Sequence, residues 1–329
     1  MQGWTRRATL AAGLGMATAA RAQAPAFPDR PLRIIVPFAP GGSTDIITRL
    51  LSEPMRQALG QPVIVENRPG ANGQIALEAT VRARPDGTTA MLGNVTTNGT
   101  APLINARRLG FDYERDLVPV SRVADVPSLL IATKANLPVE SLAQLVAYAR
   151  ANPGKLNYMS TGIGSYTHLD TVLLLRAAGI QAEHVVLAAG AGPTTQALIS
   201  GQVQFGFLNV ATGTPLVQGG QLRALAVTGE RRLPTLPEVP TMAEAGFPGI
   251  GTSSWHLMMV PAGVPAPVLE ALFAATRAAI LSDAVQAAFA RQSIQPTPSA
   301  SLEEARTWLT AELARWRGVL RETRIEAAE

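Results

Sequence analysis

The chain has 329 residues, 28 of them Lys or Arg against 24 Asp or Glu, a formal charge of +4, and 47% apolar residues. That apolar share excludes a disordered chain, and 29 Gly with 25 Pro in no strict period exclude a collagen-like one. The absence of Cys removes disulfide scaffolds, thiolate metal centres, cysteine nucleophiles and an acylated lipoprotein cysteine, so function must use oxygen, nitrogen and backbone chemistry.

The first segment has a basic start at Arg6 and Arg7, an apolar run from Ala8 to Ala20, and small residues spaced A-x-A at Ala20-Arg21-Ala22 and Ala22-Gln23-Ala24. These are the parts of an export signal in their required order. Residues 1–22 are therefore expected to be cleaved and the remainder to work in the periplasm. The paired arginines resemble a twin-arginine signal, although Thr9 stands where that motif usually has Phe, so the general secretory route stays open. The run is shorter than the roughly 20 residues that span a bilayer. Cleavage removes Arg6, Arg7 and Arg21 and leaves 25 basic against 24 acidic residues. With that balance, and no basic run interleaved with aromatics, nucleic acid is not an expected partner.

About 305 remaining residues suggest two domains. Short β-branched runs predict strands at 32–36, 62–66, 88–92, 129–133, 156–160, 184–187, 204–208 and 222–228. Periodic stretches predict helices at 44–59, 73–83, 141–151, 166–178, 193–200, 265–290 and 301–320. Such alternation argues for α/β layers around mostly parallel sheets. Pro54 should kink or end the first helix near Glu53. In the last helix Trp308, Leu309, Leu313, Trp316 and Leu320 form an apolar stripe that packs on its own domain or docks a partner.

Three strand-to-helix turns, at 36–45, 160–165 and 189–193, are rich in Gly, Ser or Thr. Each joins close backbone approach to the unpaired N–H groups of a helix start, as either a ligand-free turn or an anion cradle. No G-x-x-x-x-G-K-[ST] and no complete G-x-G-x-x-G occurs, and the two lysines, Lys134 and Lys155, lie outside these loops. A small carboxylate held by neutral dipoles therefore fits better than a nucleotide. Asp45 falls in a first helical turn, where it complements the dipole and can pair with Arg49, or else meets a ligand amino group or water. The three histidines, His168, His184 and His256, show no metal-ligand spacing, and Ser43, Ser160 and Ser165 sit in no nucleophile elbow. No catalysis, metal or cofactor is expected. His168, in a first helical turn, either donates to a ligand or makes a structural hydrogen bond.

The blocks PFAPGGSTDIITRLL, GQPVIVENRPGANGQIA, ARPDGTTAML, FDYERDLVPV, NPGKLNYMSTGIGSYTHL, SGQVQFGF and LRALAVTGERRLPTLPEVPTMAEAGFPG follow one another in order, ahead of W-x-x-x-x-x-P-A-G-x-P. Over essentially the whole mature chain this succession resembles the Bug-type receptors, the extracytoplasmic solute-binding proteins of tripartite tricarboxylate transporters. The resemblance implies a type II periplasmic binding protein-like fold, with two α/β domains closing on a small organic carboxylate. It also implies a discontinuous first domain, 23–124 plus 229–329, around a second at 125–228. The ligand contacts it implies are Phe38, Ala39, Gly41, Gly42, Ser43, Asp45, Thr96, Thr97, Ser160, Thr161, Gly162, Ser165, His168 and Asn209. A monomer is expected, whose partners are membrane permease subunits or a sensor kinase.

Relatives often read H-V-P-Y-K-G where this chain has His184-Val185-Val186-Leu187-Ala188-Ala189, and often carry Asp at Leu208 and Asn at Ala101. Losing these polar groups points to a ligand with an apolar distal part. The rival readings are a periplasmic enzyme acting on small acids, with His168 as acid or base, and a ligand sensor without a permease.

Overall fold

A computed structural model describes residues 27–187 and 191–323, so the expected export segment and residues 189 and 190 at the start of the third Gly-rich turn lie outside the described residues. Strand and helix first alternate as β1 (Leu32–Val36), α1 (Ser43–Leu59), β2 (Val63–Asn67), α2 (Gln74–Val81) and β3 (Thr89–Asn94). A π-helical turn, Thr96–Thr100, runs into α3 (Ala101–Ile104), followed by α4 (Tyr113–Asp116) and β4 (Leu117–Val126). Beyond Pro127 come β5 (Ser128–Thr133), α5 (Leu142–Ala151), β6 (Asn157–Ser160), α6 (Tyr166–Ala178), β7 (Glu183–Val186), α7 (Ala191–Ile199), β8 (Phe205–Asn209), α8 (Val210–Gln218) and β9 (Leu222–Val227). The chain closes with β10 (Ser254–Pro261), α9 (Ala266–Leu281), α10 (Asp283–Arg291), β11 (Gln295–Pro296) and α11 (Leu302–Thr323).

These strands build two sheets, one ordered β11-β4-β10-β3-β1-β2 and the other β7-β6-β8-β5-β9. Both are mixed, which corrects the expectation of mostly parallel sheets. β1 is parallel to β2 and β3, and β6 to β7 and β8, but β10 runs antiparallel to β3 and β4, and β5 antiparallel to β8 and β9. Two of the strands responsible give weak sequence signals. β10 is buried along its whole length and so shows no alternation, and β4 carries Pro119 and Asp125 within its run.

α1 forms because Ile47, Leu51 and Met55 recur every four residues and are fully buried, while Arg49, Glu53 and Arg56 face outward. It runs through Pro54 to Leu59 and stops at Gly60 in the left-handed region, so the expected end at Glu53 does not occur. The expected single helix at 265–290 is two, because Ser282 is extended (φ −66°, ψ 142°). α11 opens with a reciprocal cap. Ser301 Oγ accepts from Glu304 N–H at 3.0 Å, and Glu304 Oε2 accepts from Ala300 N–H at 2.9 Å. Its stripe packs inward, with Leu309, Leu313 and Trp316 joining Ile35, Met91, Leu257 and Met259 of the first sheet in one core. The reading in which that stripe docks a partner is thereby set aside.

Candidate functional site

A cavity of about 370 Å³ lies between the two sheets, within the usual size range for small-molecule sites. Its lining comes from turns that follow β1, β2, β3 and β6, together with Val186, Thr194 and the end of β8. Ligands of open α/β sheets bind at such carboxyl ends of strands. Among the described residues, the cavity lining holds no Asp, Glu, Lys, Arg or His.

On the first-sheet side the wall is Pro37, Phe38, Ala39, Gly42, Ser43 and Thr44. Gly42 is the N-cap of α1 and makes no side-chain capping bond, so the first N–H groups of this helix end at the cavity without an intrahelical acceptor. Asp45 faces the other way. Its side chain accepts from Gly41 N–H at 3.0 Å and from Asn67 Nδ2 at 2.9 Å, and pairs with Arg49 at 3.0 Å. Burial alone would raise its pKa, but the bonds from Arg49, Gly41 and Asn67 outweigh it and hold the carboxyl below its usual value. The anionic charge is thus compensated locally and kept out of the cavity.

Behind this wall, buried His256 reaches from β10 with Nε2 3.2 Å from Thr44 Oγ1 and 3.4 Å from Ser43 Oγ. Burial lowers its pKa to about 4, against the opposing pull of the Ser254 and Ala124 backbones, so the ring is neutral near pH 7. It orients the two hydroxyls without adding charge.

The opposite wall is Thr161, Gly162, Ile163, Tyr166 and Thr167, with Val186, Phe207, Leu208 and Asn209. Ser160 Oγ accepts from Gly162 N–H at 3.1 Å and lies 2.7 Å from His184 Nε2. His168 Nδ1 accepts from Gly164 N–H at 3.1 Å, which places the ring proton on Nε2, and the ring stacks on His184 with centroids 4.1 Å apart. Burial, helped by the His184 charge, lowers the His168 pKa to about 4. Ser165 caps α6, accepting from His168 N–H at 3.4 Å. Asn209 caps α8 through Oδ1, leaving its amide nitrogen to offer the cavity.

Of the residues anticipated at a ligand, Phe38, Ala39, Gly42, Ser43, Thr96, Thr161, Gly162 and Asn209 line this cavity. Gly41, Asp45, Thr97, Ser160, Ser165 and His168 are not part of the lining, five of them because protein groups hold them as described. Thr97 is fully buried against Gly73, where a Cβ would lie 2.6 Å from Thr97 Oγ1. The residues not anticipated include Thr44, Asn72, Asn94, Tyr166 and Phe207, and His256 behind them. For Asn72 the signal was present in R-P-G-A-N-G, whose dense Gly, Pro and Asn mark a tight turn. For His256 there was none, since its partner lies 212 residues away.

Among the described residues no group of His, Cys, Asp and Glu can hold a metal ion, and no helix is long and apolar enough to cross a membrane. The family model described as tripartite tricarboxylate transporter family receptor matches residues 47–325. The chain belongs to that family. Among curated relatives of this receptor is protein BugT of Bordetella pertussis, 37% identical over 94% of this chain and 95% of BugT. Among solved structures, R. palustris Rpa4515 with adipate superposes with a TM-score of 0.85 at 34% identity, covering 91% of this chain and 99% of that one. The periplasmic binding protein BugD gives 0.84 at 31% identity, with the same coverage of 91% and 99%. The type II periplasmic binding protein-like fold expected of the receptor is thus the one it has.

Proposed function

We propose that this receptor captures a small organic carboxylate in the periplasm, closes two lobes on it, and presents the closed form to the permease subunits of a tripartite tricarboxylate-type transporter. The lobes are 32–126 with 254–323 around the first sheet and 128–227 around the second, joined at Pro127 and through the 228–253 connection. The observation that carries the reading is an uncapped helix N-terminus opening on a cavity whose described lining has no charged side chain. About half a positive charge at the α1 terminus, its free N–H groups and the Ser43 and Thr44 hydroxyls attract an anion that no fixed carboxylate opposes. Such charge-assisted bonds strengthen once closure removes water. Phe38, Ala39, Gly42, Ser43, Thr96, Thr161, Gly162 and Asn209 then touch the ligand, while Asp45, Ser160, Ser165 and His168 hold those groups in place.

Ile163, Val186, Phe207 and Leu208 form an apolar flank that suits a hydrocarbon chain or ring on the same acid. The adipate in Rpa4515, a dicarboxylate with a four-methylene spacer, agrees with that chemistry. The protein works as a monomer and returns its ligand unaltered, because no histidine lines the cavity among the described residues. The test is a thermal-shift panel of adipate, other aliphatic and aromatic acids, citrate and aspartate, with mass spectrometry of the recovered compound. An acid with an apolar chain should raise Tm and come back unchanged. The reading falls if no carboxylate shifts Tm, or if citrate and aspartate bind tightly and the apolar acids do not.

A further inference from the structure

Asn72 lies on the first-sheet side of the cavity, in a 3-10 turn, Ala71–Gly73, that follows β2. Its Nδ2 crosses the mouth and donates to the Ile163 carbonyl on the other side at 2.8 Å, joining residues 91 apart in sequence. The turn is built for that reach. Gly70, Ala71, Asn72 and Gly73 all have positive φ (132°, 46°, 53° and 92°), a region in which Asn is among the few non-glycine residues readily found. Gly73 seats the turn against the cavity wall, since a Cβ there would lie 2.6 Å from Thr97 Oγ1 and 3.1 Å from the Pro37 Cβ. The partner loop is shaped to receive it, because a Cβ on Gly162 would stand 2.2 Å from Asn72 Oδ1. Two residues on, a Cβ on Gly164 would lie 2.2 Å from Ile104 Cδ1, a second close approach between the same two sides.

We propose that Asn72 is a latch that holds the lobes together across the cavity mouth, so that the closed form is populated before any ligand arrives. It rests on the proposed closure of the two lobes and not on which acid they close on. Donor and acceptor both belong to the protein, so the bond adds to closure whatever the cavity contains. A partly populated closed state raises apparent affinity in proportion to its population and slows escape of the ligand. Because the bond is solvent-exposed, its effect is modest.

The absence of Cys makes the test direct, since single cysteines at exposed Gln57 and Lys155 put one spin label on each lobe. Distance distributions by pulsed electron resonance are measured on protein stripped of ligand by unfolding and refolding. Asn72→Gly keeps the left-handed turn and removes the side chain with its amide, and Asn72→Asp keeps the shape and removes the donor. Both should lower the closed-to-open ratio by about two- to tenfold relative to wild type. Gly162→Ala, which puts a methyl where the amide docks, should lower it further. Melting curves near that of wild type show that each variant is folded. The latch is overturned if stripped wild type is entirely open, or if the folded Asn72→Gly protein gives the wild-type distribution. Should Asn72→Gly open the stripped protein while no carboxylate alters the wild-type distances, the latch stands and the carboxylate reading falls.

Discussion

Asp45 sits in the first turn of the helix that faces the cavity, yet its side chain is 4% exposed and turned toward Arg49, Asn67 and Gly41 N–H. A buried carboxylate beside this cavity is tolerable only because those three partners compensate it. Asp45→Asn should therefore cost about 1.5–3 kcal/mol at neutral pH, the range for hydrogen bonds to a charged group, read by urea unfolding. The sign with pH follows from its depressed pKa. The stability Asp45 supplies is present above its unfolded value, near about 3.9, and is lost as pH falls through the lower folded value. Wild type and variant should thus converge in strongly acid urea titrations. A difference that persisted there would show that packing, and not charge, makes the contribution.

At the scale of elements, α11 is held by an apolar seam, by polar contacts of Glu312 with Trp255 and of Arg317 with Glu114, and by a tether at its last residues. Trp316 is fully buried in the core it shares with the first sheet, and its Nε1 has no hydrogen-bond partner. Trp316→Ala should cost about 3–5 kcal/mol through the cavity it leaves. Trp316→Phe removes the unpaired donor along with only part of the ring, so it leaves a smaller cavity and should cost less than the alanine variant. Equal losses in the two variants would contradict the unpaired state of Nε1. The tether is Arg176 of α6, whose guanidinium donates to the carbonyls of Glu322 and Thr323 at 2.7 Å each. It satisfies the last carbonyls of α11 and complements the negative end of that helix. Arg176→Ala should fray this end and speed hydrogen exchange in its last turn, leaving the middle of α11 protected.

For the whole molecule, acid stability is set by a few buried titratable groups. His168 and His256 are each lowered to about 4 by burial, and His184 is lowered as well. Between about 6.5 and 4 the unfolded chain takes up protons that the folded one refuses, so stability falls with pH across that window, by up to about 3 kcal/mol for each of the first two. Asp170 works in the opposite sense. Burial raises its pKa to about 7 despite the bonds it accepts from Thr252 N–H and Oγ1. It therefore binds a proton in the folded state where the unfolded state does not, which favours folding as pH drops from 7 toward 4. Asp170→Asn should steepen the acid loss measured by unfolding at pH 7, 6 and 5, and His256→Gln should flatten it. Ligand acts at the same scale. A carboxylate at 100 times its Kd should add about 2.7 kcal/mol to unfolding and reduce the radius of gyration by small-angle scattering.

Strands such as β1 and the last helix, α11, could be read from sequence because their signals are local. Four β-branched or apolar residues among five, or an apolar residue every third or fourth position, already demand burial in one geometry. The blocks from PFAPGGST to the final W-x-x-x-x-x-P-A-G-x-P likewise sufficed to place the family and the turns around the cavity. Which side of each turn meets the cavity was not legible. Asp45 turns away because Asn67 arrives from β2, Ser160 and His168 are engaged behind the loop, and His256 reaches Thr44 from a strand 212 residues on. Hydrogen bonds between distant segments assign those roles, and a chain pattern records only the order of its residues, so only tertiary structure could decide them.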